Sequence, residues 1–381
     1  MARAGNIQSI SALRDAARRK LPRFAFDFID GGALEEVALK NNRLAFDSVR
    51  IRPRILSGNL SRTTHCNILG SRFNGPFGIA PVGLADIIAP GTDIALAAAA
   101  RDFGLPYVLS TAGSTSLEEI ADICPDFCFQ LYVGSDPGIT KDLLKRLKAS
   151  TARALFVTGD VPTPGKRLRD AANGFAVPLK PGGRMLVDVL THPGWAWNML
   201  TGGAPNFANL QPYAIKGSSV QSLATLMAQQ STARLDWDLL KSIRDEWDRP
   251  LVLKGVLHPA DAIRARDMAI DGIVVSNHGG RQLDAALSPI EAIAAIRASV
   301  GEDFPIILDS GIRSGEDILR ALCLGANFVL LGRPFLYAVA ALGAIVGPTH
   351  LIEIIEDELD RAMGQVGATT LGDLDTSLIA L

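Results

Sequence analysis

The run His278-Gly279-Gly280-Arg281 places a proton-transfer group three residues from an anion-binding one. Histidine titrates near neutral pH and can act as a base. Arginine presents a planar fork that matches a carboxylate with two parallel hydrogen bonds. Together they suit removal of a proton from a substrate held by its carboxylate. Asp160 closes the segment Ala154–Asp160 and could orient the imidazole, while Lys254 stands near the end of Leu251–Val256 and offers a fixed cation. A second pattern lies further on, in Asp309-Ser310-Gly311 followed by Arg313, and in Gly332-Arg333. Glycine lets backbone N–H groups approach an anion, a helix N-terminus favours negative charge, and arginine adds the counter-charge. That pattern expects a phosphorylated cofactor or substrate.

These residues need a scaffold that gathers them, and the sequence supplies one. Eight short apolar runs recur: Phe77–Gly83, Tyr107–Thr111, Phe127–Val133, Ala154–Asp160, Leu251–Val256, Gly272–His278, Pro305–Ser310 and Phe328–Arg333. They are continuously hydrophobic rather than alternating, as a parallel sheet covered on both faces requires. Stretches with helical spacing, such as Asp93–Phe103, Asp136–Lys148, Pro259–Ala269, Pro289–Ala298 and Gly315–Leu324, lie between runs. Alternation of this kind predicts a (β/α)8 barrel of the TIM type, whose active site lies at the C-terminal strand ends and whose phosphate site often follows strands seven and eight. An open dinucleotide-binding sheet would carry G-x-G-x-x-G after its first strand, and the chain has none there. The whole of residues 1–381 reads as one unit. Residues 1–76 form a helical N-terminal extension whose first long helix is broken at Gly31-Gly32, and residues 77–381 form the barrel. A long insertion after strand four contains 176–216, rich in Pro, Gly and aromatics and without clean periodicity; such loops are usually functional.

The polar groups Gln130, Tyr132, Thr158, Asp160, Lys254, Ser276, His278, Arg281, Asp309 and Arg333 all fall at or just beyond strand ends. A purely structural barrel has no need of them around one rim.

Composition excludes several classes. With 38 Lys+Arg against 40 Asp+Glu the net charge is -2, and no dense basic stripe exists to neutralise a nucleic-acid backbone. The four cysteines, Cys66, Cys124, Cys128 and Cys323, are scattered and form neither a disulfide framework nor a paired metal motif. No metal is expected. The N-terminus has no secretion-signal pattern, and the longest apolar run, Phe335–Val346, is too short to span a bilayer and reads as a buried helix.

The motifs SNHGGRQLD (Ser276–Asp284), LKGV (Leu253–Val256), DSGIRSG (Asp309–Gly315), LGRPF (Leu331–Phe335), FQLYV (Phe129–Val133) and LPRFAFDFIDGGA (Leu21–Ala33) resemble the FMN-dependent L-2-hydroxy acid oxidases and dehydrogenases. DVPTPGKRLRD (Asp160–Asp170), APVGLA (Ala80–Ala85) and THPGWAWNM (Thr191–Met199) resemble most the bacterial membrane-associated L-lactate dehydrogenases, with mandelate dehydrogenase a close relative. The resemblance implies oxidation of an L-2-hydroxy acid, lactate first and mandelate or longer acids next, to the 2-keto acid. His278 would take the α-proton in a carbanion route or the hydroxyl proton in a hydride route. Asp160 would stabilise the imidazolium, Arg167 and Arg281 would clamp the carboxylate, and Tyr132 would hydrogen-bond the substrate. Lys254 would sit at the flavin N1/O2 edge, where a cation favours reduction. Pro81, Val82, Gly83, Ser110, Gln130, Thr158 and Ser276 would line the isoalloxazine. Asp309 would meet the ribityl chain, and Gly311, Arg313, Gly332 and Arg333 the phosphate.

Two departures stand out. The family's N-terminal tyrosine, which helps hold the substrate carboxylate, is replaced here by Phe26, so the clamp rests more on the arginines. Ala112 stands where glycolate-oxidising members carry tryptophan, which leaves room for a side chain larger than glycolate's hydrogen. The segment 176–216 corresponds to the loop that anchors quinone-linked relatives to a membrane, and Trp195, Trp197, Met199 and Leu200 with Lys180, Arg184 and Lys216 suit an interface. The resemblance thus implies a homotetramer, peripheral at the cytoplasmic side of an inner membrane, with a quinone as acceptor. The alternatives are an oxygen-using 2-hydroxy acid oxidase of the same fold and a non-redox FMN-binding barrel.

Overall fold

The computed structural model of the chain describes residues 4–58, 61–174, 182–213 and 235–380. Its centre is an eight-stranded parallel sheet: β1 (Phe77–Ile79), β2 (Val108–Ser110), β3 (Cys128–Leu131), β4 (Ala154–Thr158), β5 (Leu251–Val256), β6 (Gly272–Val275), β7 (Ile306–Leu308) and β8 (Phe328–Leu331). Each strand pairs with the next, β8 pairs with β1, and a parallel bridge between Ile79 and Tyr107 joins β1 to β2. The ring is closed, a (β/α)8 barrel.

Alternation along each strand explains both the core and the rim. Residues two apart share a face. Val108, Cys128, Phe156, Val252, Val274 and Ile307 pack together in the apolar barrel interior, and Ile68 from the hairpin Cys66–Ile68/Ser71–Phe73 joins them. Two residues beyond each of these stand Ser110, Gln130, Thr158, Lys254, Ser276 and Asp309, all buried. The polar rim is therefore the last inward-facing row of the barrel. The intervening positions, such as Leu109, Phe129, Leu155, Val157, Leu253, Ile273 and Leu308, belong to the larger core beneath the helices.

The strand runs are recovered with shorter ends, since the polar terminal residues turn out of the ladder; Leu251–Val256 matches to the residue. The helices Thr92–Phe103, Pro137–Ala149, Pro259–Asp267, Pro289–Val300 and Gly315–Cys323 follow their strands as expected. The run Phe335–Val346 is divided: a buried helix spans Arg333–Leu342 and stops at Gly343, and Val346 begins the next one.

The N-terminal extension forms α1 (Ile10–Lys20), α2 (Arg23–Asp30) and α3 (Val37–Ser48). The first break falls at Leu21-Pro22, earlier than expected. Leu21 is extended because the following proline disfavours helical geometry there, and Pro22 caps α2. Gly31-Gly32 ends α2 instead. A Cβ on Gly32 would lie 2.9 Å from the Gly280 carbonyl, and Ala33 N–H donates to that same oxygen at 2.9 Å. The two glycines thus let the extension lie directly on the barrel mouth. Asp30 fastens it: the buried carboxylate accepts from Arg14 (2.6 and 2.8 Å), Arg169 (3.0 Å) and Tyr337 (2.8 Å). In the insertion, α4 (Leu168–Ala172), α5 (Gly183–Leu190) and α6 (Pro193–Gly202) are described, followed by a 3-10 segment, Ala208–Tyr213. Residues 176–181 and 214–216, with Lys180 and Lys216, lie outside the described residues.

Candidate active site

A cavity of about 460 Å³ opens at the C-terminal mouth of the barrel, walled by the strand ends and by Phe28 and Ile29 of α2. Its floor is organised by hydrogen bonds along the inward row. Ser110 donates to Gln130 Oε1 at 2.7 Å, and Gln130 Nε2 donates to Thr158 Oγ1 at 2.8 Å. Lys254 donates to Ser276 Oγ at 3.0 Å and lies 3.2 Å from Asp309. Burial alone would strip the Lys254 proton, but Asp309 and Asp160 outweigh it and hold the ammonium above its ordinary value. A fixed buried cation results.

His278 sits on a turn of unusual geometry. Its φ is 56°, and Gly279 and Gly280 follow at 67° and 70°, three left-handed residues in succession. Such a conformation is costly for a residue with a Cβ and persists only where the surroundings fix it. Here His278 N–H donates to Ser276 Oγ (3.0 Å), Gly279 N–H to Ser310 Oγ (2.8 Å) and Gly280 N–H to Asn277 Oδ1 (3.0 Å). Asn277 is itself paired with Asn42 of α3 through reciprocal amide bonds of 2.9 and 2.7 Å, both groups buried. The turn aims the imidazole into the cavity.

The ring is held from both sides. Nδ1 lies 3.0 Å from Asp160 Oδ1, and Nε2 lies 3.3 Å from the Tyr132 hydroxyl. Burial would raise the Asp160 carboxyl, yet His278 and Lys254 outweigh it and keep it below the usual carboxylate range. An anionic Asp160 keeps the proton on Nδ1 and leaves Nε2 free to accept one. Tyr132 is pushed up to about 12 by burial, so it stays a hydroxyl donor. Asp160 has its place because Gly255 bulges out of β5 with φ 105°; a Cβ there would lie 2.4 Å from Asp160 Cβ.

Four arginines surround the rest of the cavity. Arg281 Nη1 donates to the Phe28 and Gly31 carbonyls at 2.8 and 2.9 Å, and Arg333 donates to Ile29 and Gly31 at 2.9 and 2.8 Å. They satisfy the C-terminal carbonyls of α2, where the helix dipole also favours cations. Arg167 lies 3.3 Å from Asp170. Among the described residues, Arg281, Arg313 and Arg333 form no ion pair with a carboxylate. Burial and then Arg167 and Arg333 pull the Arg281 guanidinium well below its ordinary value, and burial together with Arg333 and Arg43 brings Arg313 down to about 10. A buried surplus of positive charge calls for bound anions. Arg313 and Arg333 beside Gly311 and Gly332 suit a phosphate; Arg167 and Arg281 near His278 suit a carboxylate. The donor set fits a phosphorylated flavin: Arg313 and Arg333 would hold its phosphate, and Gln130, Thr158 and Lys254 would supply donors to its ring. No cluster of three metal-ligating side chains occurs among the described residues.

Most of the expected site residues reach this cavity, including Pro81, Val82, Gly83, Ala112, Asp309 and Gly332. Ser110, Ser276 and Asp160 stand one layer behind its wall, each holding a group that does line it. The aromatic of the N-terminal segment needs correcting. Phe26 is buried against Tyr337, with ring centroids 6.4 Å apart, and Phe28 is the residue that faces the cavity. Phe207, from the insertion, was not expected. Ala208 N–H donates to Gly113 O, and Asn209 bonds Leu117 N–H and Ser110 O, which presses Phe207 onto the wall near Ala112. The irregular stretch around it carries no periodic signal.

The chain resembles known proteins along its whole length. It is 41% identical to an L-lactate dehydrogenase of Caulobacter sp. (strain K31), covering 98% of each chain, and 40% identical to an L-lactate dehydrogenase of Pectobacterium atrosepticum, covering 97% of this chain and 95% of the other. Among solved structures, the monotopic membrane protein (S)-mandelate dehydrogenase superposes with a TM-score of 0.94 at 36% identity, covering 98% and 99%. A mandelate oxidase with benzoyl-formic acid gives a TM-score of 0.82 at 38% identity, covering 96% of each chain. The family model for FMN-dependent dehydrogenase matches residues 17–381, and the chain belongs to that family.

Proposed function

We propose that this enzyme oxidises an L-2-hydroxy acid to the 2-keto acid and passes the electrons through FMN to a quinone. The observation that supports it best is the pairing of His278, polarised by Asp160 at 3.0 Å, with two cationic groups, Arg167 and Arg281, on one side of a single cavity. Bound FMN supplies the two-electron acceptor. The arginines hold the substrate carboxylate, and the Tyr132 hydroxyl donates to a substrate oxygen. His278 Nε2 accepts a proton, from the α-carbon or the hydroxyl, while Asp160 stabilises the imidazolium. Lys254 offsets negative charge that develops over the floor. L-Lactate is the first substrate proposed, since relatives of that name are 40–41% identical over nearly the whole chain; mandelate follows, because Ala112 leaves space in the wall.

For the acceptor, the surface of the insertion supports a membrane location. No described helix is long and apolar enough to cross a bilayer. The pair α5–α6 nonetheless exposes Leu186, Val187, Leu190, Trp197 (65%) and Leu200 (79%), an apolar face suited to lying in an interface. Trp195 turns the other way. Its Nε1 donates to Ile87 O at 2.9 Å and its ring packs edge-on against Phe24, fastening α6 to the barrel. We infer a peripheral location at the cytoplasmic face of an inner membrane, as a homotetramer. The test is turnover with L-lactate and (S)-mandelate, scored as reduction of a ubiquinone analogue against peroxide formed in air. Dominant quinone reduction, with Leu186→Asp/Leu200→Asp losing vesicle binding but not keto-acid formation, is expected. Stoichiometric peroxide without quinone reduction would shift the assignment to an oxidase.

A further inference from the structure

Phe28 occupies a position no hydroxyl-bearing side chain fills, yet it touches both carboxylate-directed arginines. The Arg281 guanidinium carbon lies 5.4 Å from the centre of its ring and that of Arg167 lies 5.8 Å away. Both distances fall within the range where a cation gains from the negative face of an aromatic ring. These two cations stand on the same side of the cavity, Arg167 with a carboxylate neighbour in Asp170 at 3.3 Å and Arg281 without an ion-pair partner among the described residues, and each disfavours the other: Arg167 is a cause of the depressed Arg281 value, after burial. Arg281 is fixed in addition by its bond to the Phe28 carbonyl, which a side-chain change leaves intact. The ring is therefore the separable part of the arrangement.

Resting on the functional reading above, we infer that Phe28 is a positioning residue: its ring draws Arg167 and Arg281 into one preassembled clamp before a carboxylate arrives. The ring replaces a hydrogen bond to substrate with a contact to the groups that make those bonds. Preorganisation of this kind lowers the ordering cost of binding and leaves the proton-transfer geometry at His278 alone.

The test is anaerobic flavin reduction by L-lactate and by (S)-mandelate in wild type, Phe28→Leu, Phe28→Met and Phe28→Tyr, each with FMN content and unfolding temperature measured. Loss of one desolvated ring contact predicts a half-saturating concentration raised roughly tenfold in the Leu and Met variants, with limiting reduction rate within about threefold. Phe28→Tyr keeps the ring and binds at least as well as wild type. In the background Arg167→Met the Phe28→Leu effect shrinks, because one partner is gone. Unchanged half-saturation in Leu and Met, or a loss confined to the limiting rate, overturns the proposal. A flavin that no 2-hydroxy acid bleaches, in wild type as well, refutes the functional reading instead. If one aliphatic variant does not fold, the other and Phe28→Tyr still decide.

Discussion

Replacing Asp160 by Asn is the sharpest perturbation of the proton-transfer pair, since it removes one charge and almost no volume. Asp160 Oδ1 stands 3.0 Å from His278 Nδ1, and both side chains are largely shielded from water. At an effective dielectric near 20, opposite charges at that distance attract by about 5 kcal/mol. The amide retains a dipole and part of the hydrogen bond, so about 2–4 kcal/mol of imidazolium stabilisation should go. That corresponds to a roughly 30- to 1,000-fold slower proton transfer. The assay is anaerobic stopped-flow bleaching of the flavin band at saturating substrate near pH 7.5, with FMN content checked. Because the carboxylate clamp is untouched, half-saturation should stay close to that of wild type. A limiting rate within about threefold of wild type would refute the reasoning that Asp160 supports the charge on His278.

Three other outcomes follow from the same geometry. Gly255→Ala puts a Cβ 2.4 Å from Asp160 Cβ at φ 105°, which should cost about 1–3 kcal/mol of stability and displace the carboxylate, reproducing part of the Asp160→Asn rate loss; normal stability and normal rate together would contradict it. Lys254→Met leaves Asp309 and Asp160 buried without their cation, at a cost of about 3–5 kcal/mol, and should lower the flavin midpoint potential, measurable by dye titration. Asp93, whose carboxylate accepts from the Tyr107 hydroxyl and from the Ser114 and Thr115 backbone N–H groups, is fully buried and pushed up to about 7 by burial and then by Asp86. The folded chain binds that proton more tightly than the unfolded one, so stability should fall by up to about 4 kcal/mol as pH rises from 4 to 7, then level off. Unfolding temperature against pH, with Asp93→Asn flattening the slope, checks this.

The barrel was legible because burial on both faces forces each strand to read as a continuous apolar run, and because the site is the polar end of the inward row. Val252 to Lys254 and Ile307 to Asp309 show that transition within two residues. The phase of α2 was harder to read. Phenylalanines at 24, 26 and 28 alternate, but on a helix residues two apart point about 200° from each other while residues four apart share a face. Phe24 and Phe28 therefore look towards the insertion and the cavity, and Phe26 towards Tyr337. The supporting layer was hidden for another reason. Asn42 with Asn277, and Asn209 with Ser110, are contacts between residues 235 and 99 positions apart, which no local pattern encodes. The family resemblance implies that Ser110 and Ser276 line the isoalloxazine; in the structure their hydroxyls bond Gln130, Lys254 and the His278 backbone.

The central claim is that His278 takes a proton from an L-2-hydroxy acid whose electrons pass to bound flavin. Mixing the FMN-loaded protein anaerobically with L- and D-lactate and with both enantiomers of mandelate tests it most directly, with His278→Gln alongside. Rapid bleaching by an L-configured acid (for mandelate, the S enantiomer) is expected, with one equivalent of keto acid per flavin. In His278→Gln the rate should fall by orders of magnitude with FMN still bound. A flavin that stays oxidised with every acid, or one reduced equally fast without His278, would contradict the claim.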